Sequence, residues 1–312
     1  MDIVKQLLLE AQEEELPELF ARDLKIALVP GKVTVITGAR RAGKSYYLYQ
    51  IRKNLRAAGV PNNRMISFNF FDERIRPYPP GLLTAIEKEY HRLNPGTGNA
   101  KLYWFFDEIQ LVPDWEYFID RLRRKKNYEI YLTGSSSRMI SHEIASAMRG
   151  RSLAYEIFPY SFREILRREG MAEVPATAGA LGRVRHCFDH YLSRGGYPEV
   201  QGCEAKVADA ILREYYRTIL TRDLIERHEP RFPGVLEECL KSFSCQAGLL
   251  LSLNKMKNNL ASSGIRVSGP QLAEFAGWME EAYYLYRVPL FTPSRQKQRV
   301  TPVKLYAVDS GL

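Results

Sequence analysis

Cysteine is scarce in this sequence, with four residues among 312: Cys187, Cys203, Cys239 and Cys245. They show no CxxC spacing, and no pair of histidines lies near them. The pattern therefore indicates neither a zinc site nor a disulfide framework. We predict free thiols, as in a protein of the reducing cytoplasm.

Long apolar runs are also missing, because no stretch approaches the roughly 18 apolar residues that a membrane-spanning helix requires. The N-terminal segment has an apolar patch at Leu7–Leu9, which is soon followed by acidic residues at Glu13–Glu15. It lacks the basic start and the long apolar stretch of a signal peptide. We therefore predict a cytoplasmic protein that does not act in a membrane.

Charge is unbalanced toward the basic side. Lysine and arginine number 45 against 36 acidic residues, for a net charge of +9 and a pI near 9.3. This balance suits a phosphate-rich ligand or partner, and double-stranded DNA is one candidate. Solvated basic faces explain such an excess equally well, so charge alone does not identify nucleic acid as a partner.

Five short apolar runs lie between Lys32 and Phe158, separated by segments of helical length. Such an alternation is typical of a parallel sheet that is buried on both faces. The sequence therefore predicts an α/β core over residues 1–158. The five runs are Val33–Thr37, Met65–Phe70, Leu102–Phe106, Glu129–Thr133 and Ala154–Phe158.

Helical periodicity dominates after Pro159. We predict a helical, lid-like region over residues 159–233 and a winged-helix-like domain over residues 234–312. The second prediction depends on short helices followed by a basic-tipped β-hairpin. Its features are the N-caps Ser252 and Ser268, the strand-like runs Leu285–Phe291 and Val303–Val308, and the loop Ser294–Arg299 between those runs.

The segment after the first predicted strand fits G-x-x-x-x-G-K-[ST], and a helix is predicted from about Lys44. In such a loop, backbone N–H groups surround the phosphates of a nucleotide and the helix N-terminus adds its positive dipole end. Lys44 would reach the β- and γ-phosphates, and the Ser45 hydroxyl would bind Mg²⁺. The predicted nucleotide-binding residues are Gly38, Ala39, Arg40, Arg41, Ala42, Gly43, Lys44, Ser45 and Tyr46.

The third predicted strand ends in two carboxylates, Asp107 and Glu108. A strand that ends in two acids about sixty residues after a P-loop is typical of a Walker B element. Asp107 would bind Mg²⁺ through its water shell, whereas Glu108 would orient and deprotonate the attacking water. Alone, the same pair could also be a helix-capping turn.

Two further segments supply candidate catalytic residues. The fourth predicted strand ends near Thr133 and Ser135, where a hydroxyl could contact the γ-phosphate or position the water. Either residue could equally be a turn former. Arg149 and Arg151 close the next helix and could supply charge to a neighbouring subunit's γ-phosphate. A helix C-terminus also favours arginine through its dipole, so that alternative stays open.

These motifs together resemble prokaryotic AAA-type ATPases that carry a C-terminal domain of the type called DUF4143. The resemblance covers essentially the whole chain. It is carried by Thr37–Ser45, Phe106–Gln110 with Val112–Trp115, Leu132–Ser136, Gly150–Arg151, Phe158–Glu164 and Gly195–Glu199.

The resemblance implies an ASCE/AAA-type P-loop NTPase core with a parallel sheet, followed by a helical region and a winged-helix-like domain. It also implies a ring or dimer of identical subunits. Members of the family usually continue into a nuclease-like α/β region, so we expect that the chain is either truncated before this region or a shortened member of the family.

The leading functional hypothesis is an ATP hydrolase that uses Mg²⁺ and whose nucleotide state controls assembly or engagement of DNA or a partner. Two alternatives remain at this stage. One is a nucleotide-dependent binding switch with negligible turnover. The other is a DNA-binding regulator with a vestigial P-loop, against which the intact set of motif residues argues.

Overall fold

The computed structural model describes residues 3–134, 148, 150–171 and 177–312, apart from the side chains of residues 295, 299 and 300. The chain forms two compact units, Met1–Ile157 and Phe158–Leu312. The further division at residue 233 stays a prediction. Among the described residues, no helix has the length and apolar composition needed to cross a membrane.

The first unit is an α/β domain built on a five-stranded parallel sheet with the order β2-β3-β4-β1-β5. Each strand lies where an apolar run predicts one, with ends that differ by one or two residues. The elements are α1 (Ile3–Glu13), β1 (Val33–Gly38), α2 (Lys44–Ala57), β2 (Met65–Asn69), α3 (Leu82–Leu93), β3 (Leu102–Asp107), α4 (Trp115–Arg123), β4 (Tyr128–Thr133) and β5 (Ser152–Ile157).

Burial explains why apolar runs of this length become strands here. All six residues of β1 are buried, as are the first five of β3. Trp104 and Phe106 of β3 are fully buried and belong to the same core as Ile86 of α3 and Ile119 of α4. Helices therefore pack on the apolar side chains that project from the sheet, as a parallel sheet requires.

The strand order determines which loops meet. Because the strands are parallel, the residues that follow β1, β3 and β4 emerge at one edge of the sheet, where open α/β sheets place their ligand sites. Ile36 of β1 is paired with Thr133 of β4, and Asp107 of β3 is paired with Asn69 of β2. The P-loop and the two carboxylates of the third strand therefore lie at the same edge.

The second unit is mainly helical. Its longer helices are α5 (Phe162–Arg168), α6 (Ala178–Arg194), α7 (Ala205–Thr218), α8 (Pro233–Ser244), α9 (Leu253–Ser262), α10 (Gly269–Glu281) and α11 (Arg295–Val300). Helix α7 continues into a π-helical segment, Ile219–Ile225, and a last α-helical turn, Glu226–His228. Its strands are β6 (Leu285–Val288) and β7 (Lys304–Ala307). Ser161 and Glu164 form a capping box that fixes the start of α5.

The last part of the second unit packs α8, α9 and α10 against the antiparallel pair β6 and β7. Leu250 adds an isolated antiparallel bridge to Lys304. The expected N-caps are confirmed, since the Ser252 and Ser268 side chains accept hydrogen bonds from backbone N–H groups of α9 and α10. The winged-helix interpretation of this arrangement stays a prediction.

The prediction of a basic loop at residues 294–299 is wrong, because residues 295–300 form the helix α11. The Ser294 side chain accepts a hydrogen bond from the Lys297 N–H and so caps this helix. The flanking strands are correspondingly shorter than predicted, because β6 ends at Val288 and β7 begins at Lys304.

A buried carboxylate joins the end of the second unit to the turn after α6. Asp309 is 5% exposed and accepts hydrogen bonds from the N–H groups of Gly196, at 2.7 Å, and Gly311, at 2.9 Å. Desolvation raises the pKa of the Asp309 carboxyl although these bonds act to lower it. Gly195 has φ 71°, and a Cβ there would meet the Asp309 carboxylate. The turn therefore requires glycine where this carboxylate approaches the backbone.

Candidate nucleotide-binding site

The P-loop begins where β1 ends, and its first glycine is required by close packing. Gly38 has φ 138°, and a Cβ there would meet the carbonyl oxygen of Ile157 on β5. A larger residue would therefore push β1 and β5 apart. Gly43 immediately precedes α2 and has φ 98° and ψ 30°, a left-handed conformation that glycine adopts without strain.

Lys44 lies at the start of α2 with its side chain turned back over the loop. Its ammonium donates to the carbonyl oxygens of Gly38, at 3.0 Å, and Ala39, at 2.8 Å. The residue is only 7% exposed. An ammonium that is hydrogen-bonded to two loop carbonyls is held in place at the P-loop.

The remaining predicted P-loop residues differ in exposure. Ala39 and Ala42 are buried, Arg40 and Ser45 are half-buried, and Arg41 is exposed. Tyr46 is 57% exposed, and its ring packs edge-on against Tyr49. The Ser45 hydroxyl lies in the first turn of α2, directly after Lys44. The predicted roles of these residues in nucleotide binding stay predictions.

Asp107 and Glu108 lie at the end of β3, and Thr133 of β4 is hydrogen-bonded to both residues. The Thr133 hydroxyl donates to Asp107 Oδ1 and accepts from the Glu108 N–H at 3.3 Å. Thr133 is fully buried. A hydroxyl has one proton to donate, and in this structure that proton is bonded to Asp107. The geometry therefore places Thr133 as a support for the Asp107 carboxylate, and its contact with phosphate or water stays a prediction.

On the hypothesis that Asp107 holds Mg²⁺ for ATP hydrolysis, replacing Thr133 with Val is expected to raise the Mg²⁺ concentration needed for half-maximal turnover by about tenfold, since lost supporting contacts to metal ligands typically cost ~10–100-fold in metal affinity. Val keeps the shape of Thr but leaves Asp107 without this hydrogen bond. Mg²⁺ titrations of turnover measure the effect. Thr133→Ser keeps the hydroxyl and is the matched control. Lower turnover with unchanged Mg²⁺ dependence would instead indicate that the hydroxyl acts on phosphate or water.

Glu108 has a left-handed backbone conformation, with φ 57° and ψ 38°. Its carboxylate accepts a hydrogen bond from the Gln110 side-chain amide, which lies two residues further along the chain. This contact was not predicted from the sequence, although Gln110 belongs to the motif that carries the family resemblance. The position of the Glu108 carboxylate in this structure is thus determined by a neighbouring side chain as well as by the backbone.

Arg151 lies away from this edge of the sheet. It precedes β5, and its carbonyl accepts from the Val33 N–H at the first residue of β1, which is the opposite end of the sheet. Its guanidinium donates to Asp120 at 2.6 Å. Arg151 therefore does not meet the P-loop of its own chain, and its action on a neighbouring subunit stays a prediction. Ser135 and Arg149 lie outside the described residues.

Three arginines share the Asp120 carboxylate. Desolvation acts to raise the pKa of Asp120, but hydrogen bonds from Arg124, Arg123 and Arg151 outweigh it and hold that pKa below its ordinary value. Arg151 is thus one member of an ion-pair cluster. A role in a neighbouring active site would require Arg151 to exchange this partner for a phosphate.

The five-stranded parallel sheet with a P-loop between β1 and α2 is the fold of a P-loop NTPase core. Residues 30–166 match a family model described as an AAA domain. Residues 185–312 match a model described as a domain of unknown function, DUF8612. The C-terminal model thus differs in designation from the DUF4143-type domain that the sequence motifs resemble.

Similar proteins extend the comparison over most of the chain. The chain is 30% identical over 294 residues to the uncharacterized protein MJ1544 of Methanocaldococcus jannaschii. The matched residues make up 92% of this chain and 63% of that protein. It is 25% identical over 282 residues to an uncharacterized protein of Haemophilus influenzae, which covers 90% of this chain and 68% of that protein. The chain thus spans about two thirds of the length of these relatives.

A solved structure shares the fold. The Walker-type ATPase PABY2304 of Pyrococcus abyssi is 16% identical, with a TM-score of 0.52 over 98% of this chain and 93% of that chain. At this identity the likeness shows the fold alone.

Proposed function

We propose that this chain binds ATP with Mg²⁺ and hydrolyses it to ADP and phosphate. The observation that carries the proposal is the meeting of two elements at one edge of the sheet. Lys44 lies over the P-loop after β1, and Asp107 and Glu108 lie at the end of β3. Thr133 of the intervening strand β4 is hydrogen-bonded to the Asp107 carboxylate and to the Glu108 backbone N–H. This arrangement provides an ammonium for phosphate, an acid for a cation and a second acid for water.

Oxygen donors at the site fit a hard divalent cation. Ser45 and Asp107 would hold Mg²⁺, which prefers oxygen ligands and commonly takes only one or two from the protein. When bound, Mg²⁺ neutralises charge on the β- and γ-phosphates. The hydrogen bond from Thr133 orients one Asp107 oxygen and leaves the carboxylate with further lone pairs. Lys44 adds its positive charge on the P-loop side.

Glu108 is the residue that we assign to the attacking water. Its carboxylate would accept a proton from the water as the water oxygen bonds to the γ-phosphorus and the bond to the β-phosphate oxygen breaks. The Gln110 amide donates to one carboxylate oxygen. That bond orients the Glu108 side chain. Because a carboxylate has acceptor sites on both oxygens, Glu108 can accept from a water as well as from Gln110. Steady-state phosphate release by the wild-type protein with ATP and Mg²⁺ tests the proposal directly.

A second candidate function, binding of double-stranded DNA, is favoured by one feature of the second unit. Residues 282–308 contain five basic residues and no acidic residue. By contrast, α10 carries Glu274, Glu280 and Glu281 and no basic residue. Phosphate contacts dominate the affinity of proteins for DNA. We therefore assign DNA contact to the β6–β7 segment and not to α10.

Anisotropy titrations with a fluorescent 30-base-pair duplex test this assignment. Affinity is expected to fall at least about tenfold between 50 and 200 mM salt, since each phosphate contact releases counterions. Lys297→Ala combined with Lys304→Ala should weaken binding and flatten the salt dependence. The matched control is Lys255→Ala with Lys257→Ala on α9. Binding that is independent of salt, or equally weakened by the control pair, would contradict the assignment.

A further inference from the structure

The segment between α1 and β1, residues 14–32, contains no helix or strand, and its central part is anchored to α2. The Arg22 backbone N–H donates to Gln50 Oε1 at 2.7 Å, and the Gln50 side-chain amide donates to the Arg22 carbonyl at 3.3 Å. The Tyr47 hydroxyl donates to the Leu24 carbonyl at 2.7 Å. We call this segment the N-terminal strap. Side chains of α2 hold its backbone in place without using the Arg22 side chain.

The Arg22 side chain reaches the P-loop. Its Nη1 donates to the Ala42 carbonyl oxygen at 2.8 Å. The loop residue that it contacts is fully buried. The guanidinium thus holds a loop carbonyl from the strap side, whereas Lys44 contacts two different carbonyls of the same loop.

The contact has a consequence for the direction of one N–H group. The Ala42 carbonyl and the Gly43 N–H belong to one planar trans peptide unit, so they point in opposite directions. A carbonyl held toward the strap therefore turns the Gly43 N–H away from the strap. In a P-loop, inward-pointing N–H groups of this kind surround the α- and β-phosphates. Gly43 has no side chain that would oppose this orientation, and its φ of 98° is one that glycine tolerates.

We propose that Arg22 is a positioning residue of the nucleotide site, which fixes the Gly43 N–H for phosphate through the Ala42 carbonyl. The N-terminal strap then forms part of the nucleotide-binding apparatus. The inference rests on the proposed function only in requiring that the P-loop binds nucleotide. It does not depend on whether ATP is hydrolysed.

Equilibrium titration with fluorescent ADP in the presence of Mg²⁺ tests this role on the full chain. Arg22→Ala is expected to raise the Kd for ADP about tenfold, because the Gly43 N–H is then no longer held toward the phosphate. A hydrogen bond to a charged group contributes strongly to affinity. Arg22→Lys retains a charged donor and should recover part of the affinity. Gln50→Ala loosens the strap backbone and keeps the guanidinium, so a smaller rise in Kd is expected. Lys25→Ala, an exposed strap residue, is the matched control.

Two measurements separate positioning from folding. Each variant without nucleotide should still unfold in one cooperative transition, with a melting temperature within a few degrees of the wild type, whereas the rise in melting temperature on adding ADP should shrink in Arg22→Ala. If Arg22→Ala proves unstable, Gln50→Ala and Arg22→Lys carry the comparison. An ADP Kd for Arg22→Ala within twofold of the wild type would overturn the inference, as would an equal loss in Lys25→Ala. Wild-type protein that fails to bind ADP would instead overturn the proposed function.

Discussion

Replacing Glu108 with Gln is expected to reduce ATP turnover by about two to four orders of magnitude, the usual contribution of a positioned general base. Gln keeps the size of the side chain but cannot take a proton from water. ATP binding should persist, because Lys44 and the loop backbone are unchanged. Phosphate release measures the first effect, and titration with a fluorescent ATP analogue measures the second.

The matched control for this change is Glu116→Gln, which alters a carboxylate in the first turn of α4. It should leave turnover near the wild-type value. Equal turnover in wild type and Glu108→Gln would remove Glu108 from the mechanism. Tight ATP binding without turnover in the wild type would favour the nucleotide-dependent switch, with Glu108 held by Gln110 in a resting position.

Replacing Lys44 with Ala is expected to weaken ATP affinity by at least about a hundredfold, since hydrogen bonds to charged groups contribute roughly 1.5–3 kcal/mol each. The change removes an ammonium that is bonded to two loop carbonyls at 3.0 and 2.8 Å. Isothermal titration with ATP and Mg²⁺ measures the loss. Turnover should fall in parallel, because the ammonium also neutralises charge that develops on the transferred phosphoryl group.

Lys53→Ala provides the comparison for this second prediction, because Lys53 is an exposed lysine further along the same helix. Its ATP affinity should stay within a factor of about two of the wild type, as surface changes away from a site usually have small effects. Unchanged affinity in Lys44→Ala would show that nucleotide binds elsewhere. A melting temperature for each variant without nucleotide checks that the loss is not caused by unfolding.

The parts of this structure that the sequence predicted are those determined over short stretches of chain. Each strand of the sheet comes from one apolar run, and the P-loop from eight consecutive residues, Gly38–Ser45. A buried strand and a glycine-rich turn leave strong local signals. The meeting of this loop with Asp107 then follows from the parallel strand order alone.

The features that sequence reasoning missed depend on residues that are far apart in the chain. Arg22 reaches Ala42 across 20 residues, and Arg151 pairs with Asp120 across 31. Neither contact has a periodicity or a motif that would indicate it. Thr133 was identified as a site residue, but its acceptor, Asp107, lies on the neighbouring strand and becomes evident only in three dimensions.

One hydrogen bond in the second unit joins residues that are far apart in the chain. The bond between Asp309 and the Gly196 N–H closes a loop of 113 residues. Contacts of such sequence separation form slowly, because the chain entropy of closing the loop is lost before the contact stabilises the fold. On the ribosome, the turn after α6 emerges long before its carboxylate partner is made. We therefore expect this turn to reach its final packing late, after the unit is synthesised through Asp309.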